Sequence, residues 1–184
     1  MQKINTSGRS MVEMLGVLAI VGVLSVGGYE MISKAMEQHQ EGQLIGQTMS
    51  LINQARKIVC EYESEYRNDA AYLYTSQAIP AGLTYNSSKK QLSGAADSVF
   101  ELDYEKGSDD YGLLIIKASN IPENGCLKMV ATFWGNNENS KLQTIKVNGN
   151  DLSKKNISSS LKVCKDSGNQ VELYYLGCFD NEEE

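Results

Sequence analysis

A lone carboxylate lies inside an apolar run near the start of this 184-residue chain. The run extends from Met11 to Tyr29, and Glu13 is the one charged residue in it. A carboxylate in apolar surroundings carries a large desolvation cost unless a cation neutralises it, so such residues usually mark function. We therefore expect Glu13 to need a positively charged partner once helices pack around it.

Cysteines supply the second kind of chemistry. The chain has four of them, Cys60, Cys126, Cys164 and Cys178, all downstream of the apolar run. None lies in a Cys-x-x-Cys or Cys/His spacing, which argues against a metal site. An even number of widely spaced cysteines behind an export-type segment predicts two disulfides formed in an oxidising compartment such as the periplasm. The alternative is four buried free thiols in a cytosolic protein.

Catalytic and metal-binding patterns are absent from the sequence. It contains no GxSxG, P-loop or HExxH motif, and His39 has no cysteine or carboxylate at ligand spacing. Four carboxylates, Asp103, Glu105, Asp109 and Asp110, could bind calcium, but they lack EF-hand spacing and are more typical of a solvated loop. We predict no enzymatic activity, no cofactor and no metal site.

Length and charge narrow the function classes further. At 184 residues the chain fits one globular domain plus an extra element. Its formal net charge of -6 leaves no basic stripe that could release counterions from a nucleic acid. Nucleic acid is therefore not a predicted partner.

The apolar run has the length of a membrane span. Its roughly 19 residues, at ~1.5 Å each, approach the ~30 Å hydrocarbon core of a bilayer. Lys3 and Arg9 precede it, which places the N-terminus in the cytoplasm and the rest of the chain outside. A secretory signal cleaved near 25–27 is one alternative, and a plain signal anchor in which Glu13 snorkels is another. The carboxylate and the unbroken helical pattern past Tyr29 count against the cleaved signal.

An amphipathic helix continues the run from Tyr29 to Tyr66. This segment contains no proline, and its apolar residues recur at steps of three and four. The predicted packed face consists of Leu44, Ile45, Thr48, Leu51, Ile52, Ala55, Ile58, Val59 and Tyr62. The opposite face, expected in solvent, carries Gln47, Gln54, Arg56, Lys57 and Glu61. One long helix of this kind is what a membrane-anchored stalk bearing a head requires.

Strands, turns and one helix are predicted for the remainder. A polar connection over 67–97 is rich in Gly and Ser and is expected to be mostly irregular. VFELDY and YGLLIIKAS predict two antiparallel strands. CLKMVATFW has helical spacing, with Pro122 and Glu123 suited to a first turn.

Two more strands complete the predicted head. LQTIKV leads into the tight turn Asn148-Gly149, and VELYYLGCF is the last strand. The predicted fold class is α+β. A long N-terminal helix, with a membrane half and an amphipathic half, packs on a three- to four-stranded antiparallel sheet.

The segment from Gly8 to Met14, followed by LGVLAIVGVL, resembles the processing site and N-terminal helix of type IV prepilins. In that family a dedicated peptidase cuts after the glycine and methylates the new N-terminus, and a glutamate occupies the fifth mature position. The resemblance implies cleavage after Gly8, Arg9 as the first mature residue, and Glu13 as that glutamate. It also implies that the α-amine of Arg9 on one subunit pairs with Glu13 on its neighbour, which sets the stagger between subunits.

The head resembles the type IVb or conjugative thin-pilus pilins through its IPxxxC segment, its IKVNG strand and a later cysteine. This resemblance implies a disulfide between Cys126 and Cys164, which leaves Cys60 to pair with Cys178. The rival pairing of Cys164 with Cys178 stays open, because sequence alone does not determine connectivity.

The resemblance implies three parts of the chain: a leader over 1–8, a long helix over 9–66 with its transmembrane and assembly half at about 11–30, and a pilin head over 67–184. The expected function is a pilus subunit that is held in the bacterial inner membrane and then polymerises with copies of itself into an extracellular fibre. Expected partners are the prepilin peptidase and the assembly platform and motor proteins. The alternatives are a pseudopilin of type II secretion and a membrane-tethered periplasmic binding domain.

Overall fold

A computed structural model describes residues 7–61, 70–106, 112–135, 141–152 and 162–176. The chain divides into two compact units, Met1–His39 and Gln40–Glu184. Helix α1, Ser7–Glu61, has residues in both units and contains no proline. The predicted long helix is thus confirmed as far as Glu61, and the rest of its predicted range lies outside the described residues.

Within the described residues, the second unit contains two further helices. Helix α2 comprises Ala70–Thr75, and helix α3 comprises Glu123–Gly135. Pro122 directly precedes α3, and Glu123 places a carboxylate in its first turn, near the positive end of the helix dipole. The predicted helix over CLKMVATFW is therefore confirmed. A 3₁₀ turn covers Ala95–Asp97.

Seven antiparallel strands form one sheet within the described residues. They are β1 Thr84–Asn86, β2 Gln91–Ser93, β3 Val99–Lys106, β4 Gly112–Ile121, β5 Leu142–Val147, β6 Asn150–Leu152 and β7 Asn169–Leu176. The strand order is β1-β2-β3-β4-β7-β5-β6. The last strand along the chain therefore lies between β4 and β5.

The prediction of three or four strands is wrong. Strands β3, β4, β5 and β7 are the predicted ones and are confirmed, whereas β1, β2 and β6 have only 3 residues each. So short a strand shows no alternation of apolar and polar residues that a pattern could reveal. For the same reason the connection over 67–97 is less irregular than predicted, since it contains α2, β1 and β2.

The turn between β5 and β6 depends on two residues with positive φ. Asn148 has φ 51° and Gly149 has φ 79°, which is the combination that a two-residue hairpin turn with right-handed strand twist requires. Asn and Gly tolerate this left-handed conformation better than other residues. The predicted tight turn is confirmed.

The core lies between α1 and one face of the sheet. Leu44, Leu51 and Ala55 of α1 are fully buried, as are Ile116 of β4 and Leu173 of β7. These residues belong to one cluster of packed apolar side chains. Hydrophobic burial of this kind is the main force that fixes the amphipathic part of α1 on the head.

The other face of the sheet carries charges in register. Lys117 of β4 lies opposite Glu101 of β3 and Glu172 of β7, and Glu172 lies opposite Lys146 of β5. Burial lowers the pKa of Lys117, but its hydrogen bond with Asp103 and the surrounding carboxylates outweigh this effect and raise that pKa. Opposite charges facing each other across strands favour this register over a slipped one.

Candidate functional site

Large apolar side chains stand exposed along α1 in the first unit. They are Met14, Leu15, Leu18, Tyr29, Met31, Ile32 and Met36, each more than half exposed. Glu30 and Lys34 form an exposed ion pair of 2.8 Å on the same stretch. Exposed apolar side chains at this density are typical of a surface that another molecule or a membrane covers.

The residues of the predicted processing and assembly site lie on this helix. Gly8, Arg9 and Glu13 fall within α1, but the side chains of Arg9 and Glu13 are outside the described part of the structure. The same holds for most side chains of the predicted membrane half at about 11–30. The roles of the three residues therefore stay predictions. Among the described residues, no helix has both the length and the apolar character needed to cross a membrane.

A disulfide joins α3 to the segment before β7. Cys126 is bonded to Cys164, with 6.0 Å between their Cα atoms and a sequence separation of 38 residues. The pairing implied by the pilin resemblance is confirmed, and the rival pairing of Cys164 with Cys178 is excluded. The side chain of Cys60 and the whole of Cys178 lie outside the described residues, so their pairing stays a prediction.

A pair of asparagines holds the segment that carries Cys164. The side-chain amide of Asn169, which is fully buried, donates to the carbonyl oxygens of Ile121 at 3.0 Å and Lys165 at 2.7 Å. Its Oδ1 accepts from the backbone N–H of Lys165 at 2.7 Å and from Nδ2 of Asn148 at 2.9 Å. Both donors and both acceptor positions of this buried amide are therefore used.

Asn148 extends this network to the neighbouring strand and to Val163. Its Nδ2 also donates to the carbonyl of Val163 at 2.8 Å, and its Oδ1 accepts from the backbone N–H of Gln170 at 3.0 Å. The sequence predicts Asn148 only as a turn residue. Its side-chain role was not predictable because its partners are 15 and 22 positions away.

The side chain of Gln47 links α1 to the backbone on either side of the β1–β2 hairpin. Its Nε2 donates to the carbonyl of Gly82 at 3.0 Å, and its Oε1 accepts from the backbone N–H of Ala95 at 2.8 Å. A Cβ at Gly94 would lie 2.6 Å from Oε1, and one at Gly82 would lie 2.8 Å from Nε2. Gln47 was predicted on the solvent face of the helix. That prediction is wrong, because two glycines let backbone approach its amide closely.

Replacing Gln47 with alanine is expected to lower the free energy of unfolding by about 1–3 kcal/mol, since the partly buried N–H of Ala95 loses its acceptor. Chemical unfolding of the full chain in detergent measures the effect. Gln54→Ala is the matched control, because Gln54 is exposed on the same helix and its loss should change stability by less than about 0.5 kcal/mol. Equal losses in the two variants would contradict the role given to Gln47.

A buried carboxylate on α1 pairs with α3. Glu41 is 4% exposed and forms an ion pair with Lys128. One turn further along α1, a Cδ atom of Leu44 lies 3.1 Å from the position that a Cβ on Gly125 would take. Breaking a buried pair by removing one partner leaves an uncompensated charge, so this contact favours one placement of α1 against α3.

Tyr175 of β7 makes the free energy of unfolding depend on pH in the alkaline range. Burial raises the pKa of its phenol from 10.0 to about 12, and the charge of Arg56 opposes this only in part. The folded state holds the phenolic proton more tightly than the unfolded state. The resulting stability is complete below pH 10 and is lost as pH rises towards 12, by about 3 kcal/mol in total.

We expect Tyr175→Phe to flatten this alkaline loss of stability. The measurement is the free energy of unfolding from pH 8 to pH 11.5 for both proteins. Burial and a hydrogen bond to Glu172 also raise the pKa of Tyr174. The variant should therefore still lose stability as pH rises, but less steeply than the unmodified chain. Superimposable pH profiles would contradict the assignment to Tyr175.

His39 and the described part of the acidic turn, Asp103 and Glu105, form no candidate site. His39 is exposed on α1. Asp103 is exposed and pairs with Lys117 at 3.2 Å, and Glu105 is also exposed, whereas Asp109 and Asp110 lie outside the described residues. Within the described residues, no group of three or more His, Cys, Asp or Glu side chains is arranged to hold a metal ion.

Comparison with known proteins supports the fold. No protein-family model matches the chain, and no curated protein matches it in sequence. Among solved structures, the chain is similar to the type IV b pilin from Salmonella typhi, with a TM-score of 0.58 and 11% sequence identity. The match covers 73% of this chain and 97% of that chain. At this identity the likeness shows the fold, which is a long N-terminal helix packed on an antiparallel sheet, as in pilins.

Proposed function

We propose, from this pilin fold, that the chain is a structural subunit of a type IV pilus. The observation that carries the proposal is the structural match over 97% of a type IVb pilin chain. The exposed apolar side chains of α1 support it, because a subunit that polymerises through its N-terminal helix needs such a surface. The subunit is held in the inner membrane before assembly and forms an extracellular fibre for adhesion, motility or conjugation.

Processing and assembly use the start of α1 in this proposal. The prepilin peptidase removes residues 1–8 by cutting after Gly8, and the new α-amine belongs to Arg9. This amine neutralises Glu13 of a neighbouring subunit among packed apolar helices, where an unpaired charge would cost several kcal/mol. The assembly platform and motor proteins supply the work of extrusion, and the head over 67–184 forms the fibre surface.

Disulfides suit the head to this extracellular setting. The bridge between Cys126 and Cys164 is of the kind that oxidising compartments maintain. We place a second bridge between Cys60 and Cys178, where it would tie the end of α1 to the C-terminal region. Two such links restrict the unfolded state and support a fibre under tension.

The alternatives differ in whether and where the chain polymerises. A type II secretion pseudopilin would form a short periplasmic piston, and a tethered periplasmic binding domain would stay a monomer on the membrane. The major pseudopilins usually have disulfide-free heads, so the bridge of Cys126 to Cys164 favours the pilus. In this proposal the role of the chain is structural, and it involves no catalytic site, cofactor or nucleic-acid partner.

The test is to shear cells that express the chain with its own assembly system and to image the sheared material by electron microscopy. Thin fibres whose peptides belong to this chain, and which vanish when its gene is deleted and return on complementation, are the expected result. A chain found only in the membrane or periplasmic fraction, with no surface fibre lost on deletion, would overturn the proposal.

A further inference from the structure

The two cysteines of the observed disulfide sit on very different backbones. Cys126 is fully buried in the first turns of α3, and its N–H donates to the carbonyl of Pro122 at 2.9 Å. Cys164 lies outside helices and strands, between turn and bend residues that precede β7. The helix fixes Cys126 without help from the disulfide, whereas irregular backbone around Cys164 needs other contacts to hold its place.

Those contacts come from asparagine side chains on both sides of Cys164. Asn148 binds the carbonyl of Val163, the residue before it, and Asn169 binds both the N–H and the carbonyl of Lys165, the residue after it. The two amides also bind each other at 2.9 Å. The backbone on either side of the cysteine is therefore fixed by groups that have no redox chemistry.

Asn169 also links this segment to the start of α3. Its Nδ2 donates to the carbonyl of Ile121 at 3.0 Å, and Ile121 directly precedes Pro122, which accepts from the Cys126 N–H. The buried amide of Asn169 thus connects Lys165, next to Cys164, with Ile121 at the end of β4. Helix α3, which carries Cys126, begins two residues later. Only side-chain hydrogen bonds are needed for this connection, so it can form while both thiols are reduced.

We propose that Asn148 and Asn169 are positioning residues for disulfide formation, which hold Cys164 opposite Cys126 in the reduced, folded protein. In the reaction, a thiolate of the pair attacks a small disulfide such as oxidised glutathione and releases one thiol. The second cysteine then attacks the mixed disulfide and releases the other thiol. Two cysteine thiols are oxidised, and the small disulfide is reduced to two thiols.

This positioning explains the choice of partner. Cys178 is closer to Cys164 in sequence than Cys126 is, so chain entropy alone favours the Cys164 to Cys178 pairing. Hydrogen bonds that hold Cys164 beside α3 raise the effective concentration of Cys126 instead. The inference concerns the folding of the head and does not depend on whether the chain forms a pilus.

The test equilibrates the full chain, in detergent, with reduced and oxidised glutathione at several ratios. Acid quenching, alkylation and peptide mapping then give the fraction with Cys126 bonded to Cys164, and hence the effective concentration of the two thiols. In Asn169→Leu we expect this effective concentration to fall about tenfold or more, because the backbone N–H and carbonyl of Lys165 both lose their hydrogen bonds to residue 169. Peptides that link Cys164 to Cys178 should appear in the same variant.

Asn148→Gly is the milder second variant, since Asn148 is only half-buried and glycine keeps the positive φ that the turn requires, and it serves if Asn169→Leu does not fold. Leu73→Ala is the control for general destabilisation, because Leu73 is buried in α2. It should leave the effective concentration unchanged in the folded protein.

The proposal is overturned if both asparagine variants keep the effective concentration of the unmodified chain. It is equally overturned if they lower it no more than Leu73→Ala does. A fall in effective concentration that is specific to the asparagine variants supports the proposal. A purely structural contribution would lower overall stability without changing whether Cys164 pairs with Cys126 or with Cys178.

Discussion

Replacing Glu13 with glutamine is expected to abolish surface fibres while the subunit is still made, inserted and folded. The proposed assembly places Glu13 among apolar helices, where it neutralises the α-amine of Arg9 on a neighbouring subunit. Glutamine keeps the size of the side chain but removes its charge, which leaves that amine unpaired. The penalty is several kcal/mol at each subunit contact. Counting fibres by electron microscopy of sheared cells measures the result.

Glu30→Gln provides the matched control on the same helix. Glu30 is exposed and pairs with Lys34 within its own chain, and exposed pairs of this kind contribute little. This variant should form normal fibres. Peptide mapping of the bond between Cys126 and Cys164 checks that the head of Glu13→Gln has formed its native pairing. Normal numbers of fibres from Glu13→Gln would contradict the assembly role.

Removing the observed disulfide is expected to cause the largest loss of stability. For the sequence separation of 38 residues between Cys126 and Cys164, the loop-closure estimate is about 4 kcal/mol. The double variant Cys126→Ala with Cys164→Ala is the suitable change, because a single substitution would free one thiol to pair with Cys60 or Cys178. Chemical unfolding of the full chain in detergent gives the free energy.

The unmodified chain under reducing conditions is the companion measurement. Its stability should fall at least as far as that of the double variant, because reduction also opens the proposed second bridge. The backbone around residue 164 should stay in place in both the reduced chain and the double variant, since the hydrogen bonds of Asn148 and Asn169 do not require the disulfide. A loss below about 1 kcal/mol in the double variant would mean that the bridge does not restrict the unfolded chain as the loop-closure account requires.

Periodic apolar patterns predicted most of the fold. The helical spacing from Leu44 to Ile58, the two alternating segments of β3 and β4, and the Asn148-Gly149 turn each carry a local signal. Each of these is found in the structure. The bond between Cys126 and Cys164 came from the pilin resemblance, because spacing alone left two pairings open.

The missed features depend on contacts between distant residues. Gln47 binds Ala95 across 48 positions, and Asn169 binds Ile121 across 48 positions. A polar residue at such a site looks the same in sequence as one in solvent. Strands β1, β2 and β6 were missed because pairing with a neighbour, and not their own composition, makes them strands.

The most direct test of the central claim is the intact mass and N-terminal sequence of the chain recovered from sheared material and from the soluble and membrane fractions of the cells. We predict a chain that begins at Arg9 and is lighter by about 4 Da than its fully reduced form, as two disulfides require. This result would establish processing, oxidation and polymerisation together. A chain that keeps Met1 or begins near Gly27, and is found only in soluble or membrane fractions, would contradict the pilus account.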